Sequence, residues 1–259
     1  MISKQVVTVT LFRFDGFKNC WWAFTQMGKR AFLNSSSKVV AISAEAARMS
    51  LKPSFIKMFG AGSGNGFNLM PDFGVYGLLA VWESDMAARL FFQHNETFKT
   101  YQNRAKEIFT VFLQPIMAHG KWDGIEPFEN NTTRSSNAPM AVLTRGTVKT
   151  PFIFDFLKFT RRTSHSMEGA DGRLFSIGIG EVPITQQATF SIWENAEAMK
   201  NYAYKNPHHT EVIKKTRELG WYSEELFARF QILDTEGGWK NVNKSYLTDL
   251  IKKAQMVAE

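Results

Sequence analysis

Three side chains of this 259-residue chain stand where chemistry could begin: His209, Arg145 and Arg229. His209 lies in NPHHTEVIKKTRELGW, a run with helix start and stop signals: Asn206 as N-cap, Pro207 in the first turn and Gly220 at the end. At about 100° per residue, Val212, Ile213, Thr216 and Leu219 form the inward face; His209 lies within about 30° of its centre and His208 about 70° away. An inward imidazole is either a hydrogen-bonded core residue or a metal ligand, and the neutral ring suits haem iron. Arg145 alternates with Ala141 and Leu143 in MAVLTRGT, as Arg13 does with Val9 and Leu11 in VVTVTLFRF. A guanidinium on an apolar strand face must meet an anion. For Arg145 that is an oxygen species on the distal side of a haem, a haem propionate, or a carboxylate of the chain such as Glu224 or Glu225. Arg229, in SEELFARF, is a second candidate for a propionate.

The chain repeats itself, and the repeat positions these residues. Each strand-like run above leads into an aromatic-rich helical stretch, CWWAFTQMG or PFIFDFLKF. A strand ending in glycines follows, FIKMFGAGSG against LFSIGIG, and then VYGLLAVWES against QATFSIWENA, closed by Trp82 and Trp193. Both copies finish with a helix, an apolar strand and Gly-Lys-Trp122 or Gly-Gly-Trp239. The order is β-α-β-β-α-β twice. It predicts an α+β fold of tandem ferredoxin-like repeats forming a fused dimeric α+β barrel. The first repeat is 1–123, an exposed polar linker 124–139, the second repeat with the site 140–240, and a C-terminal helical extension 241–259. The two sheets are expected to meet through their helix-free faces, leaving an aromatic slot between them for a lipophilic substrate. With Trp82 laid on Trp193, Phe98 falls on His209, so the later copy carries an imidazole where the earlier carries a ring.

Composition narrows the alternatives. Apolar residues are 44% and aromatics 14% of the chain, which fits a packed globular body. Net charge is +7, but the 31 Lys and Arg form no run or aromatic-laced stripe, so no nucleic-acid partner is expected. The single Cys20 excludes a disulfide framework and suits a reducing cytoplasm. No secretory signal or 18-residue apolar stretch is present, and a mildly basic face could visit anionic lipid, making peripheral contact with the inner membrane. GAGSGNG at 60–66 lacks a following helix and reads as a hairpin. Cys20 beside Trp21 and Trp22 reads as a small buried hydrophobe. His94, His119 and His165 have no metal-ligand spacing, and neither HExxH nor a nucleophile triad signature appears.

The strings HTEVIKKTRELGWYSEELFARFQIL and SIWENAEAMKNYAY, with FRFDGFKNCWWAFTQMG, FGAGSGNGF and AVLTRGTV, resemble the spheroidene monooxygenase family of carotenoid biosynthesis over roughly Val7 to Gly238. The resemblance implies a haem b oxygenase that uses O2 and an electron donor such as a ferredoxin on the end of an acyclic carotenoid. By that likeness His209 is the axial ligand and Arg145 a distal or substrate-side residue. Asn34–Ser50 departs from the family pattern and leaves the substrate open. Two other readings stay open: a peroxide-dependent haem enzyme acting on a small metabolite, and a non-catalytic binding barrel. The sequence does not decide whether the chain forms a homo-oligomer.

Overall fold

The computed structural model describes residues 5–27, 32, 52–63, 70–131, 137–158, 167, 169–205, 216 and 218–258. Eight strands account for most of it. In the first half these are β1 (Val6–Arg13), β2 (Phe55–Gly62), β3 (Pro71–Trp82) and β4 (Glu107–Gly120). The second half contributes β5 (Met140–Val148), β6 (Arg173–Val182), β7 (Gln186–Trp193) and β8 (Tyr222–Gly237). Helices α1 (Gly16–Met27), α2 (Asp85–His94) and α3 (Glu96–Arg104) belong to the first half, and α4 (Ala196–Lys205) to the second. Helix α5 (Lys244–Ala258) closes the chain's described part. Asn95 caps α3 by accepting the Phe98 amide at 2.8 Å.

All strand pairings are antiparallel, and the strands close into one barrel in the order β1-β3-β2-β6-β7-β5-β8-β4. Within it each half keeps the same order, β2-β3-β1-β4 and β6-β7-β5-β8. The halves join along a short seam at Gly60↔Gly180 and Ala61↔Ile179 and a long one between β4 and β8. The strand ends repeat as well. Gly120 and Gly237 sit at φ +89° and +75°, and a Cβ at either would lie 2.1 Å from a carbonyl oxygen of the partner strand, Glu225 or Ile108. Only glycine closes these turns without displacing backbone.

Period-two alternation decides what fills the barrel. Val7, Val9, Leu11, Phe59, Leu79, Phe109, Val111, Leu143, Phe190, Ala228 and Phe230 point inward and form a continuous apolar cluster, joined by Leu247 and Ile251 of α5. Each large member contributes about 1.5–3 kcal/mol by leaving water. Two expectations are corrected here. The expected open aromatic slot between the sheets is instead filled along the barrel's middle by these side chains. The linker is also not wholly exposed, since Phe128 is buried against Phe230 at 5.1 Å between ring centroids.

The ladders also shift one correspondence. Leu78 and Thr110 flank Thr10, as Thr189 and Phe227 flank Thr144. Arg145 therefore matches Leu11 rather than Arg13, and Gly146 matches Phe12. The two arginines share a face but stand one pleat apart, because the strand-like strings align equally well at either register.

Candidate functional site

The sequence-predicted site residues separate onto two faces of the second sheet. Arg145 points into the barrel beside Leu143 and is 2% exposed. It forms an ion pair with Glu224, and its Nη2 lies 3.5 Å from Asp123 and 3.8 Å from Glu181. The Trp122 ring lies 5.5 Å from its guanidinium carbon and donates its indole N–H to Glu181 at 2.7 Å. Lys57 completes the group, bonded to Glu181 at 2.9 Å and paired with Asp123. Burial acts to raise the Glu224 carboxyl, but amide donors from Gly124 and Asp123 and the Arg145 charge win and hold it below the usual carboxylate range. Of the anions open to Arg145, the structure supplies the chain's own carboxylates. The guanidinium stands on the barrel side of the sheet, among Glu224, Asp123 and Glu181.

Arg229 stands on the opposite, helix-facing side of β8. Its ladder neighbours are Met117 and Val142, and its guanidinium carbon lies 5.2 Å from the Phe227 ring. Its Nε is buried and makes no hydrogen bond among the described residues, and no ion pair to it is found among them. His209 and His208 lie outside the described residues, as do Asn206, Pro207, Val212, Ile213 and the Asn34–Ser50 segment. Leu219, expected on the inward face with them, is 48% exposed; the buried position goes to Trp221 just past Gly220, which takes φ +58°.

Comparing the helix-facing sides of the two sheets exposes what the sequence reading missed. In the first half that face is a dry aromatic layer. Phe12 packs Phe98 at 5.9 Å and Tyr101 at 5.2 Å, and Phe92 packs Phe112 at 5.9 Å. Tyr76, Leu78, Ala80 and Trp82 complete it, with Ile56 and Met58 packed against it. By strand register, the second half replaces Phe12 with Gly146, Tyr76 with Gln187, Leu78 with Thr189, Ala80 with Ser191, Ile56 with Ser176, Met58 with Gly178 and Phe112 with Arg229. Thr144, at the centre of this face on a strand paired on both sides, is exposed, whereas its counterpart Thr10 is fully buried. Tyr222 partly fills the gap: a Cβ at Gly146 would lie 2.7 Å from its ring. Burial, with a contribution from Glu225, pushes the Tyr222 phenol up to about 12 against an opposing hydrogen bond with Thr216. Its hydroxyl therefore stays protonated.

By register the exchanges leave a floor of small and hydroxyl-bearing groups on this face, of which Gly146, Ser176, Gly178 and Ser191 are buried, and the half-buried Arg229 carries a guanidinium for which no ion pair is found among the described residues. A register-resolved comparison of the two repeats would have found the floor in the sequence, since each exchange runs from apolar to small or polar. Among the described residues no cluster of three or more His, Cys, Asp or Glu could hold a metal ion. No helix among them is long and apolar enough to cross a membrane.

The fold defines the protein as a closed, eight-stranded antiparallel α+β barrel. An aldoxime dehydratase solved in complex with butyraldoxime shares it, with TM-score 0.58 and 9% identity over 96% of this chain and 86% of that one. No family profile matches the sequence. The chain belongs to the spheroidene monooxygenase family. It is 39% identical to the spheroidene monooxygenase of Cereibacter sphaeroides over 91% of this chain and 69% of that protein. Identity to the Rhodobacter capsulatus protein of the same name is 33%, over 90% and 92%.

Proposed function

We propose that the chain is a haem b-dependent monooxygenase acting on a lipophilic, carotenoid-like substrate, and that its halves are two duplicated ferredoxin-like units of which only the later keeps a ligand floor. The observation that carries this is the replacement of the first half's aromatic layer by Gly146, Gly178, Ser176, Thr189, Ser191 and Arg229 on the same face of the second. Family membership supports the oxygenase chemistry and the class of substrate. What supports a haem is an imidazole in sequence register with Phe98, a sheet face on which bulky side chains are replaced by small ones, and the half-buried Arg229.

In this reading His209 would hold the iron and Arg229 a propionate, with the second sheet's small-residue face beside the group. When bound, haem would supply O2 activation, one oxygen atom entering a substrate C–H bond and the other leaving as water, with two electrons from a donor such as a ferredoxin and two protons from solvent. The chain's own work is to hold the ring edge with Arg229, to donate from the protonated Tyr222 hydroxyl and to keep water from the floor with Trp193, Tyr202 and Met199, which are buried at its edge. Arg145 serves as the buried ion-pair centre of the barrel, not as an oxygen-facing group. The packed interior argues against a binding module that holds its ligand between the sheets.

The test is an absorption spectrum of protein expressed with haem precursor, beside the His209→Ala variant. A Soret band that disappears or shifts in the variant is the expected result. Wild-type protein that stays colourless after reconstitution overturns the proposal.

A further inference from the structure

Helix α1 turns two different faces to its surroundings. Ala23 is buried, and Cys20, Trp22 and Met27 pack against the first half's aromatic layer. Phe17, Trp21 and Phe24, spaced i, i+4, i+7, form one outward stripe and are 83%, 58% and 46% exposed. Phe73 at the start of β3 extends the stripe with 53% exposure, and Met70 just before it is 73% exposed. The rings touch in sequence: Phe17 to Trp21 at 6.3 Å, Trp21 to Phe24 at 5.8 Å and Phe24 to Phe73 at 5.6 Å. An exposed aromatic row of this length is a docking feature rather than scattered surface apolarity.

We infer that this stripe seats the protein on an anionic lipid surface. Three observations select lipid over a protein partner. The row is a ridge of projecting rings and not a groove, so it suits a fluid surface that shapes itself around the rings. A tryptophan sits at its middle, and amphipathic rings of that kind settle at the headgroup level of a bilayer. The flanks are cationic: Lys18 lies within the stripe, Arg104 stacks on Trp22 at 4.6 Å and Lys106 stands at the helix start, against Asp15 and Asp72. Asp15 is paired with Lys106 at 3.1 Å, and Asp72 accepts the Gly74 amide at 2.9 Å. The chain as a whole carries +7, so attraction to anionic headgroups adds to insertion of the rings. Asp72, next to Phe73, also lines a cavity of about 280 Å³ at the barrel end with Arg13, Arg173, Ser176 and Trp239. The inference stands on the patch and does not depend on haem or on the oxygenase reading.

The experiment is flotation of the full chain, without substrate, on vesicles of phosphatidylcholine alone and with 30% phosphatidylglycerol (about a third anionic lipid, enough to build a surface potential). Wild type is expected to float with the anionic vesicles, with a blue-shifted tryptophan emission. Phe17→Ser/Trp21→Ser is expected to bind at least tenfold more weakly at unchanged melting temperature, and Lys18→Glu to weaken binding at low salt only. Wild type that stays in solution overturns the inference, as does a double variant that floats equally well. A light-scattering dimer that the double variant dissociates also overturns it, because the occupant is then a second copy. Wild-type protein that stays colourless after haem reconstitution but still floats separates failure of the haem reading from failure of this one.

Discussion

Glu224→Gln isolates the charge group inside the barrel. Arg145 is 2% exposed and loses its closest counter-charge, while Asp123 at 3.5 Å and Glu181 at 3.8 Å remain. Breaking a buried pair from one side costs about 3–5 kcal/mol. Two residual carboxylates and the partial exposure of Glu224 place this variant lower, at about 2–3 kcal/mol. For a chain of this size each kcal/mol moves the midpoint by about 2–4 °C, so Tm falls by about 4–12 °C. Arg145→Met removes the charge that needs compensation, and Glu224 keeps the Asp123 and Gly124 amides at 2.9 and 2.7 Å. The double variant is therefore milder than the sum of the singles, by about 1–2 kcal/mol. Thermal denaturation followed by circular dichroism measures all three. A Glu224→Gln Tm within 2 °C of wild type (well under the ~4 °C lower bound), or strictly additive effects, refutes the assignment of Arg145 to this network.

Acid titration probes the same group: the Glu224 carboxyl is held down in the native state, so its contribution is present above the ordinary value near 4.3 and lost as pH falls through the depressed one. Wild type should show a steeper loss of Tm below about pH 4.3 than Glu224→Gln. Burial acts to lower the Lys57 ammonium, but Asp123 and Glu181 raise it above its ordinary range. Its contribution is therefore complete below about pH 10.4 and lost at more alkaline pH, and Lys57→Met should flatten that limb. Thr144→Phe sets a ring on the open floor and should weaken haem uptake, titrated by the Soret band, by about 1–3 kcal/mol or fivefold to 150-fold, with Tm unchanged. Gly120→Ala forces a Cβ to 2.1 Å from the Glu225 carbonyl at positive φ and should cost more than about 2 kcal/mol in urea unfolding; full stability would show that the β4 end relaxes freely.

Much of the scaffold was legible because strands and caps are local. The alternation of VVTVTLFRF and MAVLTRGT, the tryptophans that end β3 and β7 at Trp82 and Trp193, and Gly120 and Gly237 before Trp122 and Trp239 are short-range signals, and the structure honours each. The likeness of WYSEELFARF to one enzyme family was legible for the same reason, and the identities to that family agree with it. Register was not legible. A shift of two residues keeps every side chain on its face, so only the ladders show that Arg145 matches Leu11 and that Gly146 matches Phe12.

The sequence by itself determined the repeat, the family and the presence of arginines on apolar strand faces, since these follow from pattern and residue type. Tertiary structure alone decided which anion each arginine meets. Closing eight strands brings Glu224, Asp123 and Glu181, distant in sequence, around Arg145, and leaves Arg229 facing the helices. The same closure packs Phe109, Phe190 and Phe230 into the space between the sheets and sets Gly146, Gly178 and Thr189 on the outer face of the second. A barrel of this size is filled along its middle by its own side chains, and the space left open is at its end, where Arg13, Arg173 and Trp239 line a cavity of about 280 Å³.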